Sequence, residues 1–227
     1  MLRNLLLLKD ILLDFIKSLT DFLFPQSRKV LELEALSSSD LLRLLPSADH
    51  LSDKDLVALF AYDKPLVREI VWEVKYGGNA ILSDRLGEIL YDVIIDELTE
   101  RNVVAKFPTV ILMPMPISGK RRNERGWNQA ELLTNAIKKR DLGDVFKYLP
   151  TQLVKSFHTE SQTKTADRAE RKRNLLNSMR VLNPLSVEGK FVVLVDDVLT
   201  TGSTFAEAKR ALKLAGAKRI MCVAIAH

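Results

Sequence analysis

Cysteine is almost absent from this chain: among 227 residues there is one, Cys222. A lone thiol excludes an intrachain disulfide and a cysteine-built zinc site, so nothing points to an oxidising compartment and a cytoplasmic protein is expected. Long apolar runs are missing as well. The opening stretch from Met1 to Phe24 is rich in leucine, but Lys9, Asp10, Asp14, Lys17 and Asp21 interrupt it at helical spacing. That leaves no run of about 20 apolar residues to span a bilayer, and no small-residue cleavage site follows a short apolar core. The stretch reads as an amphipathic helix that packs on the domain or on a partner, a peripheral membrane helix being the lesser alternative. Histidine is scarce: His50, His158 and His227 show neither metal-ligand nor triad spacing, which assigns them by default to surface or loops. Internal repeats and low-complexity tracts are also lacking.

What is present is the composition of a folded globule, with 47% hydrophobic and 28% charged residues. The length suits one ordinary domain with an appendage. The net charge of +5, from 34 basic against 29 acidic residues, is a mild excess that favours anionic ligands, phosphorylated small molecules as much as DNA.

Residues 1–53 read as a helical N-terminal extension and 54–227 as the main domain. Between Pro25 and Asp53 a linker with one short helix is expected, capped by the Ser37, Ser38, Ser39, Asp40 cluster ahead of Leu41. A strand from Leu56 to Tyr62 precedes two helical patterns, Pro65 to Tyr76 and Ala80 to Arg101, split by Gly77, Gly78 and Asn79. The rest alternates: a strand from Thr109 to Met113, a helix from Asn128 to Lys139 and a strand from Leu149 to Val154. A basic segment from Thr163 to Asn174, a strand from Phe191 to Val195, a helix from Thr204 to Leu214 and a strand from Arg219 to Ala226 complete it. Such alternation predicts an α/β fold with a mainly parallel sheet and helices on both faces, its continuously apolar strands buried on both sides. Ligands of such sheets bind beyond the carboxyl ends of the strands.

Beyond one such end lie Asp196, Asp197, Val198, Leu199, Thr200, Thr201, Gly202, Ser203 and Thr204, running into a helix whose apolar face holds Phe205, Ala208, Ala211, Leu212 and Ala215. A Thr, Gly and Ser loop at a helix N-terminus offers free backbone N–H groups, hydroxyl donors and the positive end of the helix dipole, which together cradle a phosphate. Gly202 permits the tight path. Two carboxylates beside an anion site make sense where the ligand also brings hydroxyl donors. Ionised aspartates suit a ribose diol, with a divalent cation offsetting their repulsion. Read singly, an aspartate pair ending a strand and a hydroxyl cluster capping a helix are commonplace, and the pair also occurs in receiver-type domains. Their combination in this order, between strand and helix, is far more specific.

The segment from Val192 to Thr204 resembles the signature of the type I phosphoribosyltransferases. The run from Met113 to Leu132, containing Pro114, Met115, Pro116, Lys120, Arg121 and Gly126-Trp127-Asn128-Gln129, resembles the ComF family of competence-associated phosphoribosyltransferase-like proteins. So do Gln162-Thr163, the run from Arg168 to Asn174, Leu23-Phe24-Pro25 and Lys75-Tyr76-Gly77, so the likeness covers most of the chain. That family commonly carries a cysteine-rich zinc element after the position of Phe24-Pro25. Here those cysteines are missing, and no zinc is expected.

The resemblance implies a type I phosphoribosyltransferase-like fold whose turn from Pro114 to Lys120 holds a pyrophosphate, with Lys120 and Arg121 as its charged members. It also implies that the segment from Thr163 to Asn174 closes over the site. There Arg168 and Arg171, with Lys172 and Arg173, would stabilise the leaving anion, although an exposed basic helix explains the same residues. The implied reaction displaces pyrophosphate from C1 of 5-phosphoribosyl-1-pyrophosphate by a nitrogen nucleophile. Mg²⁺ would be held at Asp196 and Asp197, with no Ser-His or Cys-His arrangement required. The competing expectation is a non-catalytic adaptor or sensor in DNA uptake or recombination, partnered by a helicase or DNA. Trp127 is open between core packing and a base-stacking platform, and Cys222 reads as a buried small hydrophobe.

Overall fold

The computed structural model describes residues 28–155 and 177–227. The chain forms two compact units, Met1–Leu36 and Ser37–His227. The described part of the first holds one short helix, α1 (Arg28–Glu34), with Arg28 and Glu32 paired at 3.1 Å one turn apart. The stretch expected to hold a single short helix therefore carries two, because α2 (Ser38–Leu44) follows in the second unit. Ser37 caps α2 as expected, its hydroxyl accepting from the Asp40 amide at 3.1 Å.

The second unit is built on a five-stranded sheet in which every pairing is parallel: β1 (Leu56–Phe60), β2 (Val110–Pro114), β3 (Phe146–Tyr148), β6 (Phe191–Val198) and β7 (Arg219–Ala226), in the order β1, β7, β6, β2, β3. The central strands are apolar without interruption because both faces are covered. On one face Val192, Leu194, Ile220, Cys222 and Ala224 pack with Phe205, Ala208, Ala211 and Leu212 of α8 (Ser203–Leu214). Residues of the opposite parity, Val193, Val195, Met221, Val223 and Ile225, are equally buried, on the side where α4 (Ala80–Glu100) and α7 (Gln129–Arg140) meet the sheet.

The helix predicted from Pro65 to Tyr76 changes character midway. It is α-helical in α3 (Pro65–Trp72) and then widens to a π turn, Glu73–Gly77, closed by Gly78 in the left-handed region at φ 60°. One strand expectation is corrected. The run from Leu149 to Val154 is not a single strand: Pro150 has no amide to continue a ladder, so the chain leaves the sheet after β3 and turns. Its remainder, β4 (Leu153–Lys155), pairs antiparallel with β5 (Met179–Val181). This small pair is tied to α8 by Glu207, which accepts from the Met179 amide at 3.0 Å, and by Arg210, which donates to the Met179 carbonyl at 3.1 Å. Two short helices had no apolar period to reveal them: α5 (Val103–Lys106) and α6 (Gly119–Arg125), the latter burying no residue.

No helix among the described residues is long and apolar enough to cross a membrane. The α4 and α7 helices pack tightly at Gly87, where an added Cβ would lie 2.3 Å from the Ala136 Cβ. Gly87→Ala is therefore expected to destabilise the protein by about 1–3 kcal/mol despite its better helix propensity, seen as a lower urea midpoint. An unchanged or raised midpoint contradicts this packing.

Candidate functional site

Strand β6 runs three residues beyond its expected end, so Asp196 and Asp197 lie within the sheet, Asp196 opposite Ala224 of β7. They are only 8% and 4% exposed. Asp196 Oδ1 accepts from the Asp197 amide at 2.9 Å. Asp197 Oδ1 accepts from Gln129 Nε2 at 3.4 Å, and its Oδ2 lies 3.2 Å from Lys75 Nζ. That last contact is an ion pair without hydrogen-bond alignment, because Oδ2 is buried and has no hydrogen-bond partner. Burial, reinforced by the adjacent Asp197 carboxylate, pushes Asp196 well above the usual carboxylate range, against the pull of the Asp197 amide and Lys75.

The loop after β6 is pinned at its start. The Leu199 amide donates to the Ala226 carbonyl at 2.8 Å, and the Leu199 carbonyl lies 2.7 Å from His227 Nδ1. Leu199 is buried, Val198 partly so, and Thr200 and Thr201 face solvent. Gly202 is the N-cap of α8 at φ 71°, where it makes no side-chain cap, and the first bond of the helix runs from the Ala206 amide to the Gly202 carbonyl at 2.8 Å. The amides before Ala206 have no acceptor inside the helix, and that of Ser203 meets the Thr201 hydroxyl at 3.5 Å, at the positive end of the α8 dipole. The hydroxyls of Thr201 and Ser203 stand 2.9 Å apart on the same rim.

The register of β2 against β6 sets Pro114 opposite Val195, and the Met115 amide donates to the Val195 carbonyl at 2.7 Å. Pro114, Met115 and Pro116 thus leave the sheet beside the aspartates, and Asn128 fastens this turn by donating to the Met115 carbonyl at 3.0 Å. Lys120 and Arg121 follow on the exposed helix α6, where Lys120 stands 3.9 Å from Glu124 with its side chain 80% exposed. Thr163, Arg168 and Arg171 lie outside the described residues, as does His158.

Three side chains at the site had been given no role from sequence. Lys155 ends β4; burial, and then the charge of Arg121, lowers its pKa, while Asp196 acts in the opposite sense, so its ammonium lies within the field of both. The strand expected from Leu149 to Val154 stopped one residue short of it, and it belongs to the antiparallel pair rather than to the parallel sheet whose strand ends drew attention. Lys75 and Gln129 reach Asp197 from the π turn and the first turn of α7, positions that only the tertiary fold joins. Trp127 is half-buried against Gly78, where an added Cβ would come within 2.9 Å of the indole, and its ring N–H is buried without a partner. Cys222 is enclosed in β7, and burial pushes its thiol up to about 12, which leaves it an inert hydrophobe.

Comparison with known proteins matches the family described as phosphoribosyl transferase domain over residues 143–227, a span holding Lys155, both aspartates and the loop to Thr204. The chain thus carries a type I phosphoribosyltransferase-like α/β fold. It is 31% identical over 165 residues to the DNA utilization protein YhgH of Salmonella typhimurium, covering 73% of this chain and 68% of that protein. Competence protein F of Haemophilus influenzae is 27% identical over 176 residues, covering 76% and 72%. The chain belongs to the ComF family. Among solved structures, the glutamine phosphoribosylpyrophosphate amidotransferase of B. subtilis aligns over 67% of this chain but 30% of its own, at 18% identity and a TM-score of 0.37.

The raised pKa of Asp196 makes a stability prediction. A carboxyl whose folded pKa lies above its unfolded value holds its proton more tightly in the native state. Its contribution is therefore fully present below about pH 3.8 and is lost as pH rises through the folded pKa. Asp196→Asn keeps the acceptor for the Asp197 amide and removes the buried charge, so at pH 7.5 it should raise the melting temperature by roughly 2–4 °C per kcal/mol relieved. A fall in the melting temperature would show that the charge is stabilised there.

Proposed function

We propose that this site binds 5-phosphoribosyl-1-pyrophosphate with Mg²⁺ and transfers its phosphoribosyl group to a nitrogen acceptor. The observation that carries the reading is the pairing of two buried carboxylates with an open helix N-terminus across one short turn. The loop from Thr200 to Thr204 takes the 5-phosphate, the aspartates accept from the ribose diol, and the turn from Pro114 to Pro116 lies beside the pyrophosphate. Residues 54–227 form the transferase-like domain and 1–53 its extension, and the setting is cytoplasmic.

The donor set fits the metal. Among the described residues no cluster of three or more His, Cys, Asp or Glu is found, and Mg²⁺ characteristically takes one or two carboxylates together with ligand oxygens. Asp196 and Asp197 would hold it, and Asp197 Oδ2 is a buried oxygen without a hydrogen bond. When bound, the ion would offset the negative charge of the pyrophosphate. The protein's own work is placement and electrostatics: Lys155 and Arg121 face the anion that departs, with Arg168 and Arg171 as further candidates. The C1–N bond forms as the C1–O bond breaks, the electron pair leaves with pyrophosphate, and the nucleophile's proton passes to an aspartate or to water.

Calorimetry with the sugar and Mg²⁺ tests binding. Saturable heat is expected, weakened roughly tenfold or more by Asp197→Asn and by Gly202→Val, as loss of charge-assisted hydrogen bonds implies. No heat at millimolar sugar would overturn the reading. Pyrophosphate release with a panel of bases and amines then tests transfer.

A specific surface favours a second reading, an adaptor that handles single-stranded DNA alongside a helicase. Arg68, Trp72 and Tyr76 form an exposed stripe at four-residue spacing, Trp72 and Tyr76 being 57% and 49% exposed with ring centroids 5.5 Å apart. Arg125 of the basic helix α6 lies 4.8 Å over the Tyr76 ring. Aromatic faces interleaved with cations are a platform for unpaired bases, and the relatives' names, DNA utilization protein and competence protein, run the same way. In a Trp127→Phe background Trp72 is the sole tryptophan. Its fluorescence should be quenched by oligothymidylate, steeply less so as salt rises, and the response should vanish in Tyr76→Ala. Unquenched emission at low salt removes this reading.

A further inference from the structure

Asp197 is the residue through which the site would grip a ligand, yet both of its oxygens face groups of its own chain. Gln129 donates to Oδ1, and the Lys75 ammonium stands against Oδ2. The surroundings hold these two groups in place. Lys75 sits on the π turn between Trp72 and Gly78, a widened helical geometry that recurs at functional sites. Gly78 closes that turn in the left-handed region with the Trp127 indole against its Cα, leaving no room for a side chain. Arg125 covers Tyr76, the neighbour of Lys75, and donates to Gln129 Oε1 at 3.1 Å. Two elements distant in sequence are thereby clamped together around one carboxylate.

The two contacts differ in kind. Gln129 makes a hydrogen bond to Asp197, long at 3.4 Å, whereas Lys75 at 3.2 Å makes none, and its side chain keeps 26% of its surface in solvent while that of Asp197 keeps 5%. A flexible four-carbon stem carrying a point charge, a quarter in water and not locked by a directional bond, is a counter-ion that can leave. Where it stands, however, its like charge opposes the approach of any other cation to Oδ2.

We infer that Lys75 is the resident counter-ion of the diol subsite: it occupies Asp197 Oδ2 in the empty protein, is displaced when magnesium enters with the sugar phosphate, and so bars the metal from binding alone. The inference rests on the reading of Asp197 as a ligand-binding carboxylate. A divalent ion arriving by itself must compete with a tethered cation whose effective concentration is high. A sugar bearing pyrophosphate brings anionic oxygens to which the released ammonium can move. Binding is then ordered: metal and sugar enter together.

Mn²⁺ serves as the probe, its binding followed by electron paramagnetic resonance without any sugar. Wild-type protein is expected to bind the free ion weakly, and Lys75→Met and Lys75→Gln roughly tenfold or more tightly, as removal of a competing charge implies. The gain should disappear when Asp197→Asn is added. Two neutral variants guard against a folding defect in either one, and matched circular dichroism melts identify the sound one. Equal or weaker Mn²⁺ binding by a folded Lys75 variant overturns the inference. So does a gain that survives Asp197→Asn. Because the comparison uses no sugar, it is decided separately from the calorimetry: sugar binding by wild type with no change in Mn²⁺ affinity sinks the counter-ion role and leaves the site reading standing.

Discussion

Two neighbouring carboxylates held almost out of water at the end of a buried strand constrain everything around them. Each would repel the other and each has lost its hydration, so the fold must supply compensation from several directions. It does so with the Asp197 amide against Asp196, Gln129 and Lys75 against Asp197, and Lys155 within the field of Asp196. The elements carrying these groups, the π turn, α7 and β4, are those that the sheet topology brings to the carboxyl ends of β2 and β6. Compensation remains partial, because Asp196 is driven toward its neutral form and Asp197 Oδ2 lacks a directed partner. Two incompletely satisfied carboxylates at a strand end are what the proposed ligand site would call for.

The loop that follows shows the same division between rigid support and open chemistry. Leu199 is buried and bonded to β7, and His227 reaches its carbonyl, so the exit from the strand is fixed. From Thr200 onward the backbone faces water and is organised around the left-handed Gly202. On the proposed reading, a support locked on one side and an exposed turn on the other would let an anion bind with little reorganisation.

The central architecture was readable because its strands are apolar without interruption and its helices keep a regular period. The end of β7 and the frame of α4 and α8 came out within a residue or two, and the aspartates and Gly202 could be singled out because their proposed chemistry is local. What escaped detection was non-local or unpatterned. The π turn differs from an α-helix by one hydrogen-bond step that no side-chain period records. Helix α6 buries nothing, so it leaves no apolar trace. The division of β3 from β4 hinged on Pro150, whose effect depends on whether a ladder partner needs its amide. Lys75 and Gln129 act only through contacts across some 70 to 120 residues of chain, a distance over which sequence spacing carries no information about proximity.

The antiparallel pair β4 and β5 has a mechanical consequence. Lys155 and Met179 are partners in its register, and Glu207 and Arg210 bind Met179 to α8, so the two ends of the intervening chain are fastened side by side to the body of the domain. Because Met179 also pairs with Lys155, the Lys155 ammonium is tied to the same helix that Gly202 caps, and a shift of α8 would displace the two together.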